Sequence, residues 1–272
     1  MVCMGRAAAH GRTKAPLFSD PTALTLLADE DRAAVERAIS RPQGLGDRGK
    51  RAYFDLMETM MVTRTIAMDQ TIRAYLPLEQ LVILGAGLDG RAWRMKELSN
   101  TIVFEVDHPD TQAEKRPRTV KLTQHAKEIR FVPVDFTRDS LDEQLQAAGH
   151  DSTLRTGWIW EGVIPYLALD QIEATLEVLA KRSAKGSWLT ATYQRFAITS
   201  VALGWYVGRE GEPFLTLFRE GEIDALLRRK RFTVKADDEL IALAKGVGLN
   251  PSRFGVLTRS SHIVTAEVDQ IE

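Results

Sequence analysis

The sequence contains a single cysteine, Cys3, so it can close no disulfide within itself. That usage suits a reducing compartment, and a cytoplasmic location is the expectation. No apolar run approaches the roughly 20 residues needed to cross a bilayer, and the N-terminus lacks the apolar stretch of a secretory signal. No membrane partner is therefore expected. The 36 Lys and Arg nearly cancel the 37 Asp and Glu, so the basic excess that a phosphate backbone demands is missing and no nucleic-acid partner is expected. Five scattered histidines and one cysteine give no metal-ligand spacing. A G-x-S-x-G elbow is missing too, as are internal repeats and low-complexity tracts. What remains is ordinary globular composition, 44% hydrophobic and 27% charged over 272 residues, enough for one large domain with a substantial core.

The first fifteen residues set Arg6, His10, Arg12 and Lys14 among small side chains and read as a partly mobile end. Asp20-Pro21 is a helix start, an N-cap oxygen followed by proline in the first turn, and the helix reads to about Ile39. Arg41-Pro42 and the glycines at 44, 46 and 49 break it. Between about Tyr53 and Leu76, Phe54, Met57, Met61, Ile72 and Tyr75 recur near helical spacing.

From Gln80 the period changes. Gln80 to Leu84 (QLVIL) is a short apolar run ending in glycine, which suits a buried parallel strand. Similar runs occupy Thr101 to Val106, Arg130 to Val134, Thr156 to Trp160 and Gly186 to Tyr193. Helical stretches at Asp139 to Ala148 and Leu169 to Arg182 separate some of them. A short strand near Phe232, a helix over Asp238 to Val247 and a strand over Ser261 to Val268 close the chain. The alternating pattern of that last strand predicts a less buried, antiparallel position. The fold class is therefore α/β: a doubly wound, mostly parallel seven-stranded sheet with N-terminal helices and an inserted cap. Within a single domain, residues 1–79 read as a helical extension and 80–196 as the ligand-binding core. Residues 197–230 read as a cap, and 231–272 complete the sheet.

The sharpest motif is Leu84-Gly85-Ala86-Gly87-Leu88-Asp89-Gly90, at a strand-to-helix turn. Doubly wound sheets bind ligands beyond the carboxyl ends of their strands, where the strand order reverses. Glycines there let the backbone approach a ligand, and an acid about twenty residues on reaches ribose hydroxyls. Asp107 fits that acid. Read alone, the glycine pattern suits a nicotinamide dinucleotide, or a tight turn with no ligand at all. Two further strand ends shift the balance. Asp135-Phe136 offers an acid for an adenine amino group and an aromatic edge for its face. Glu161, after Trp160, puts a carboxylate at the switch point, which suits the cationic end of S-adenosylmethionine better than a dinucleotide's second half. For Asp135 and Glu161 a plain helix N-cap is the competing explanation.

Three stretches in order, Leu84 to Arg94, Glu105-Val106-Asp107-His108-Pro109 and Glu161 to Leu167, resemble the leucine carboxyl methyltransferase family, which includes bacterial polyketide O-methyltransferases of secondary metabolism. Ser19-Asp20-Pro21 and Arg64 to Asp69 resemble it too, so the likeness spans roughly residues 6 to 195. The resemblance implies a class I methyltransferase fold and S-adenosylmethionine as cofactor. It implies that Arg64 holds the methionine carboxylate, a bidentate task suited to arginine. Gly85, Ala86 and Gly87 would line the methionine and ribose, Asp107 the ribose hydroxyls, with Glu105 in its place if the strand ends earlier. Asp135 and Phe136 would frame the adenine, and Glu161 would contact the cofactor near the transferable methyl. Arg6, or Lys14, would be the N-terminal basic residue of the site. Gly90 departs from the family, where a threonine or similar residue is common.

Tyr193, at a strand end, joins Glu161 as a candidate catalytic residue, with core packing as its alternative. Arg91 and Arg94 are either site residues or an ion-paired helix face, and His108 is most simply a cap. Methyl transfer is an in-line displacement, so the protein mainly aligns the groups and excludes water. A small-molecule carboxylate acceptor needs no base, whereas a hydroxyl does.

Overall fold

The computed structural model describes residues 2–40, 48–136, 138–197, 214–250 and 259–269, and for 48–57 only the helical backbone. A seven-stranded sheet runs in the order β3-β2-β1-β4-β5-β7-β6. Its strands are β1 (Gln80–Leu84), β2 (Ile102–Asp107), β3 (Glu128–Pro133), β4 (Thr156–Trp160), β5 (Trp188–Gln194), β6 (Phe232–Glu239) and β7 (Ser261–Val268). The first five are parallel; β7 runs antiparallel to both β5 and β6. Every residue of β1 and β4 is buried, as near-continuous apolar strands in the middle of such a sheet must be. β7 is antiparallel as its pattern predicts, but it is more buried than expected because β6 covers its outer edge.

One face of the sheet, with Leu84, Trp160, Ala191 and Val264, packs on α8 (Leu169–Lys181) and α9 (Glu222–Arg229) through Leu176, Leu179, Leu226 and Leu227. The other, with Leu81, Ile83, Ile159 and Trp188, packs on α4 (Arg48–Ala74) through Met68 and Ile72. Helix α9 lies within the segment read as a cap, yet its Ile223, Leu226 and Leu227 belong to the main core. That part of the cap assignment is corrected: a helix with one strongly apolar face docks on the sheet. Residues 198–213, the rest of the expected cap, lie outside the described residues.

The N-terminus also departs from expectation. Residues Val2–Ala9 form α1, with Cys3, Arg6, Ala7 and Ala9 buried. Cys3 and Ala7, one turn apart, pack with Ala23 and Leu26 of α2 (Ala23–Leu26), so the small side chains that suggested mobility permit close helix contact. The single helix expected up to Ile39 is two, because Leu27 is extended and α3 (Asp29–Ser40) restarts with Asp29, Glu30 and Asp31 at its favourable N-terminal end. Among the described residues, no helix is long and apolar enough to cross a membrane.

Candidate cofactor and active site

Strand order reverses between β1 and β4, so the crevice beyond their carboxyl ends is the ligand position for such a sheet. The glycine turn leaves β1 there. Gly85 and Gly87 both have positive φ, and a side chain at 85 would overlap Val163, which follows β4. The Ala86 N–H donates to Val106 O at 3.0 Å and ties the turn to β2. At Gly90 the φ is ordinary, but a Cβ would collide with the Thr22 hydroxyl. The departure from the family at this position thus follows from the close approach of the Asp20–Thr22 loop, and it needs no dinucleotide to explain it.

Asp107 ends β2 beside this turn. One carboxylate oxygen accepts the Gly87 N–H and the other the His108 N–H at 2.6 Å. Glu105 is engaged elsewhere. It is buried, bonded to Lys115 Nζ at 2.7 Å, and burial pushes its carboxyl up to about 7 against the pull of Lys115. Asp135 and Phe136 follow β3. The Asp135 carboxylate accepts from Arg138 Nε at 2.8 Å and lies 3.8 Å from His108 Nε2, and Phe136 packs half-buried on the main core.

Glu161 is the centre of the site. Its two oxygens take Arg64 Nε at 2.7 Å and Arg91 Nη1 at 2.9 Å. Burial alone would raise its pKa, but Arg64, Arg91 and Arg6 hold it far below the usual carboxylate range. From Arg91, on α5 (Arg91–Arg94), the network continues to Asp89 and Asp69, and Asp69 also binds Arg94 at 2.5 and 2.9 Å. Arg94 Nε lies 3.9 Å from Asp20, whose other oxygen takes Arg6 Nε at 2.9 Å. Four arginines and four carboxylates, from α1, the Asp20 loop, α4, the glycine turn, α5 and the end of β4, thus compensate one another in a buried cluster.

The structure brings together Arg6, Arg64, Gly85, Ala86, Gly87, Asp107 and Glu161, with Asp135 and Phe136 at the next strand end. Arg6 faces protein rather than an open ligand site: its Nη2 donates to Leu88 O at 2.7 Å, which pins α1 onto the glycine turn. Glu161 likewise binds two guanidinium groups, one on each carboxylate oxygen. Tyr193 is 1% exposed, and its hydroxyl donates to Asp237 at 2.8 Å and accepts from Arg195 at 3.2 Å, which links β5 to β6. Asp69, Asp89, Arg91 and Arg94 were not assigned roles by sequence reasoning. Their signals in the sequence are their place within the stretches that resemble the family and the spacing of Arg91 and Arg94 along one helix face, which suits an ion-paired surface equally well. Asp20 is the expected cap, accepting from Thr22 N and Ala23 N, and a network member besides.

Arg64 uses only Nε in this network. Among the described residues its two terminal nitrogens make no hydrogen bond, and they lie against Gly162 beside the switch point. An Asp107 carboxylate at the glycine turn and an arginine fork with free donors fit the ribose and the carboxylate of an amino-acid nucleoside.

A doubly wound sheet with a seventh strand inserted antiparallel, a glycine turn after β1 and an acid after β2 defines a Rossmann-like, class I methyltransferase architecture. The profile of the family described as leucine carboxyl methyltransferase matches residues 1–180, and the chain belongs to that family. A Mycolicibacterium smegmatis protein, named as a candidate S-adenosyl-L-methionine-dependent methyltransferase, is 33% identical over 191 residues, 68% of this chain and 60% of its own length. The chain spans between 38% and 68% of the length of such relatives. Among solved structures, a DUF574 family protein from Streptomyces avermitilis aligns with a TM-score of 0.60 at 9% identity, covering 98% of this chain and 96% of the other. Magnesium protoporphyrin IX methyltransferase from Synechocystis, solved with S-adenosylhomocysteine, aligns with a TM-score of 0.53 at 13% identity, covering 89% of this chain and 95% of the other. At these identities the likeness is one of fold.

Proposed function

We propose that the chain is an S-adenosylmethionine-dependent methyltransferase acting on an oxygen of a small-molecule acceptor, a carboxylate or an acidic hydroxyl. The observation that carries this reading is Arg64: fixed through Nε by Glu161, it keeps its two terminal nitrogens for a ligand carboxylate. Glu161 and Arg91 hold that fork in place. Asp107 takes the ribose hydroxyls with oxygen lone pairs not used by Gly87 and His108. Asp135 and Phe136 receive the adenine, and the backbone of Gly85 to Gly87 approaches the ribose and methionine closely. The cofactor supplies an electrophilic methyl on a sulfonium. The protein's remaining task is to align the acceptor oxygen and keep water out. Membership of a family named for carboxyl methylation supports oxygen as the target.

Thermal unfolding with S-adenosylhomocysteine and with NADH tests the cofactor. A ligand at 100 times its dissociation constant stabilises by about 2.7 kcal/mol, roughly 5 to 10 °C for a domain of this size. The shift is expected with S-adenosylhomocysteine; a shift with NADH alone overturns the reading.

A further inference from the structure

Outside the arginine cluster, a second group of ionisable side chains sits at the carboxyl end of β5. β7 is antiparallel to β5 and pairs His262 with Tyr193, so His262 stands at the same end of the sheet as Glu161. Only β5 lies between β7 and β4, so the two are two strand spacings apart, about 10 Å along the sheet. His262 is 3% exposed, its Nδ1 lies 3.1 Å from Asp237 Oδ1, and its ring packs tilted against Tyr193, the ring centres 5.3 Å apart. The Asp237 carboxylate also receives the Tyr193 hydroxyl and Arg195 Nη2, each at 2.8 Å. Asp237 from β6, Tyr193 from β5 and Arg195 just beyond it are thus the ionisable groups bonded around the imidazole, and Glu239 is its cross-strand partner on β6.

A carboxylate opposite Nδ1 holds the ring proton there and leaves the lone pair on Nε2. Among the described residues Nε2 makes no hydrogen bond. A buried imidazole oriented by a carboxylate, with its other nitrogen unused, is the arrangement of a general base.

We propose that His262, oriented by Asp237, is the general base of this enzyme and that its acceptor is a hydroxyl. The inference rests on the O-methylation reading above. His262 Nε2 takes the proton of the acceptor hydroxyl. The oxygen lone pair forms the new bond to the methyl carbon, the methyl–sulfur pair stays on sulfur, and the proton then passes from His262 to solvent. Tyr193 and Arg195 are positioning residues, since they complete the shell of Asp237.

Two measurements on the full chain test this. The first follows nitrogen-labelled histidine by NMR in the S-adenosylhomocysteine complex, with the His262 signals assigned by their loss in H262Q. The neutral ring is expected to carry its proton on Nδ1, and D237N is expected to abolish that preference. A neutral ring protonated on Nε2 overturns the proposal. The second measures labelled-methyl transfer from S-adenosylmethionine to a panel of hydroxylated and carboxylated benzenes and naphthalenes. H262Q should lower kcat/KM for hydroxyl acceptors roughly 100-fold or more at neutral pH, leave the KM for S-adenosylmethionine unchanged, and recover as the acceptor itself ionises. D237N, which keeps the side-chain volume, serves if H262Q does not fold, with a smaller loss of the same form. Undiminished hydroxyl methylation in the variant, or methylation confined to carboxylates, removes the base and leaves O-methylation standing. No transfer to any member of the panel, with S-adenosylhomocysteine still bound, removes both.

Discussion

Arg64 and Glu161 are 97 positions apart in the chain and meet at 2.7 Å, each almost wholly buried. The bond fixes Arg64 Nε and thereby aims the rest of the guanidinium. Arg64→Ala is expected to weaken S-adenosylhomocysteine binding by about 2 to 4 kcal/mol, the usual loss when a charged partner is removed from a buried pair. The fold should persist, because Arg91 still compensates Glu161. Arg64→Lys should recover only part of the affinity, since an ammonium cannot serve Glu161 and a ligand carboxylate through separate nitrogens of one planar fork. Calorimetry reads both; unchanged affinity in the alanine variant takes Arg64 out of the site.

Asp107 and Glu105 lie on one strand and point the same way, yet only Asp107 touches the glycine turn. Asp107→Ala is expected to cost roughly 1.5 to 3 kcal/mol of affinity for S-adenosylhomocysteine. The loss should shrink for a 2′,3′-dideoxyribose analogue, whose hydroxyl partners are already gone. Glu105→Gln should leave that discrimination intact and act on stability through Lys115. Were the ribose discrimination to vanish in the Glu105 variant instead, the assignment of the strand end would be wrong.

Asp69 accepts from both Arg91 and Arg94 at full burial, which holds its carboxyl below the usual range although burial alone would raise it. Replacing it with alanine leaves two buried guanidinium groups short of a counter-charge. A loss of about 3 to 5 kcal/mol in unfolding free energy is expected. Urea titration measures it, and a loss under 1 kcal/mol would mean that the cluster is hydrated and weakly coupled.

His150 packs between Phe104 and Trp158, and burial, reinforced by Arg182, lowers its pKa from 6.5 to about 4. Between those values the unfolded chain binds a proton that the folded chain does not, so this residue makes stability fall as the pH drops from 6.5 to 4, by up to about 3 kcal/mol. Glu105, raised to about 7, acts in the opposite sense from 7 down to 4.5, so the parent protein shows only the difference. His150→Gln cannot titrate. It should be less stable than the parent at pH 7.5, and the gap should narrow by about 2 to 3 kcal/mol at pH 4.5. Denaturant titrations at the two pH values decide it, and a constant gap would falsify the assignment.

The sequence by itself determined the strands of the sheet centre, the glycine turn and the acids that follow the strands. Gln80–Leu84, Thr156–Trp160 and Ser261–Val268 were legible to the residue because strand burial imposes a local pattern on consecutive side chains. The acid at 107 was legible because the spacing from turn to second strand end is set by one crossover. Only the tertiary structure decided what those acids and arginines do. Glu161 meets Arg64 and Arg91, and Asp69 meets Arg91 and Arg94, across separations that carry no periodic signal. Helix α1 was illegible for the same reason: eight short, mostly small residues have little helical stability of their own and gain it by packing on α2 and by the Arg6 bonds to Asp20 and Leu88. The role of Tyr193 turned on Asp237 and His262, brought beside it only when β7 inserts between β5 and β6.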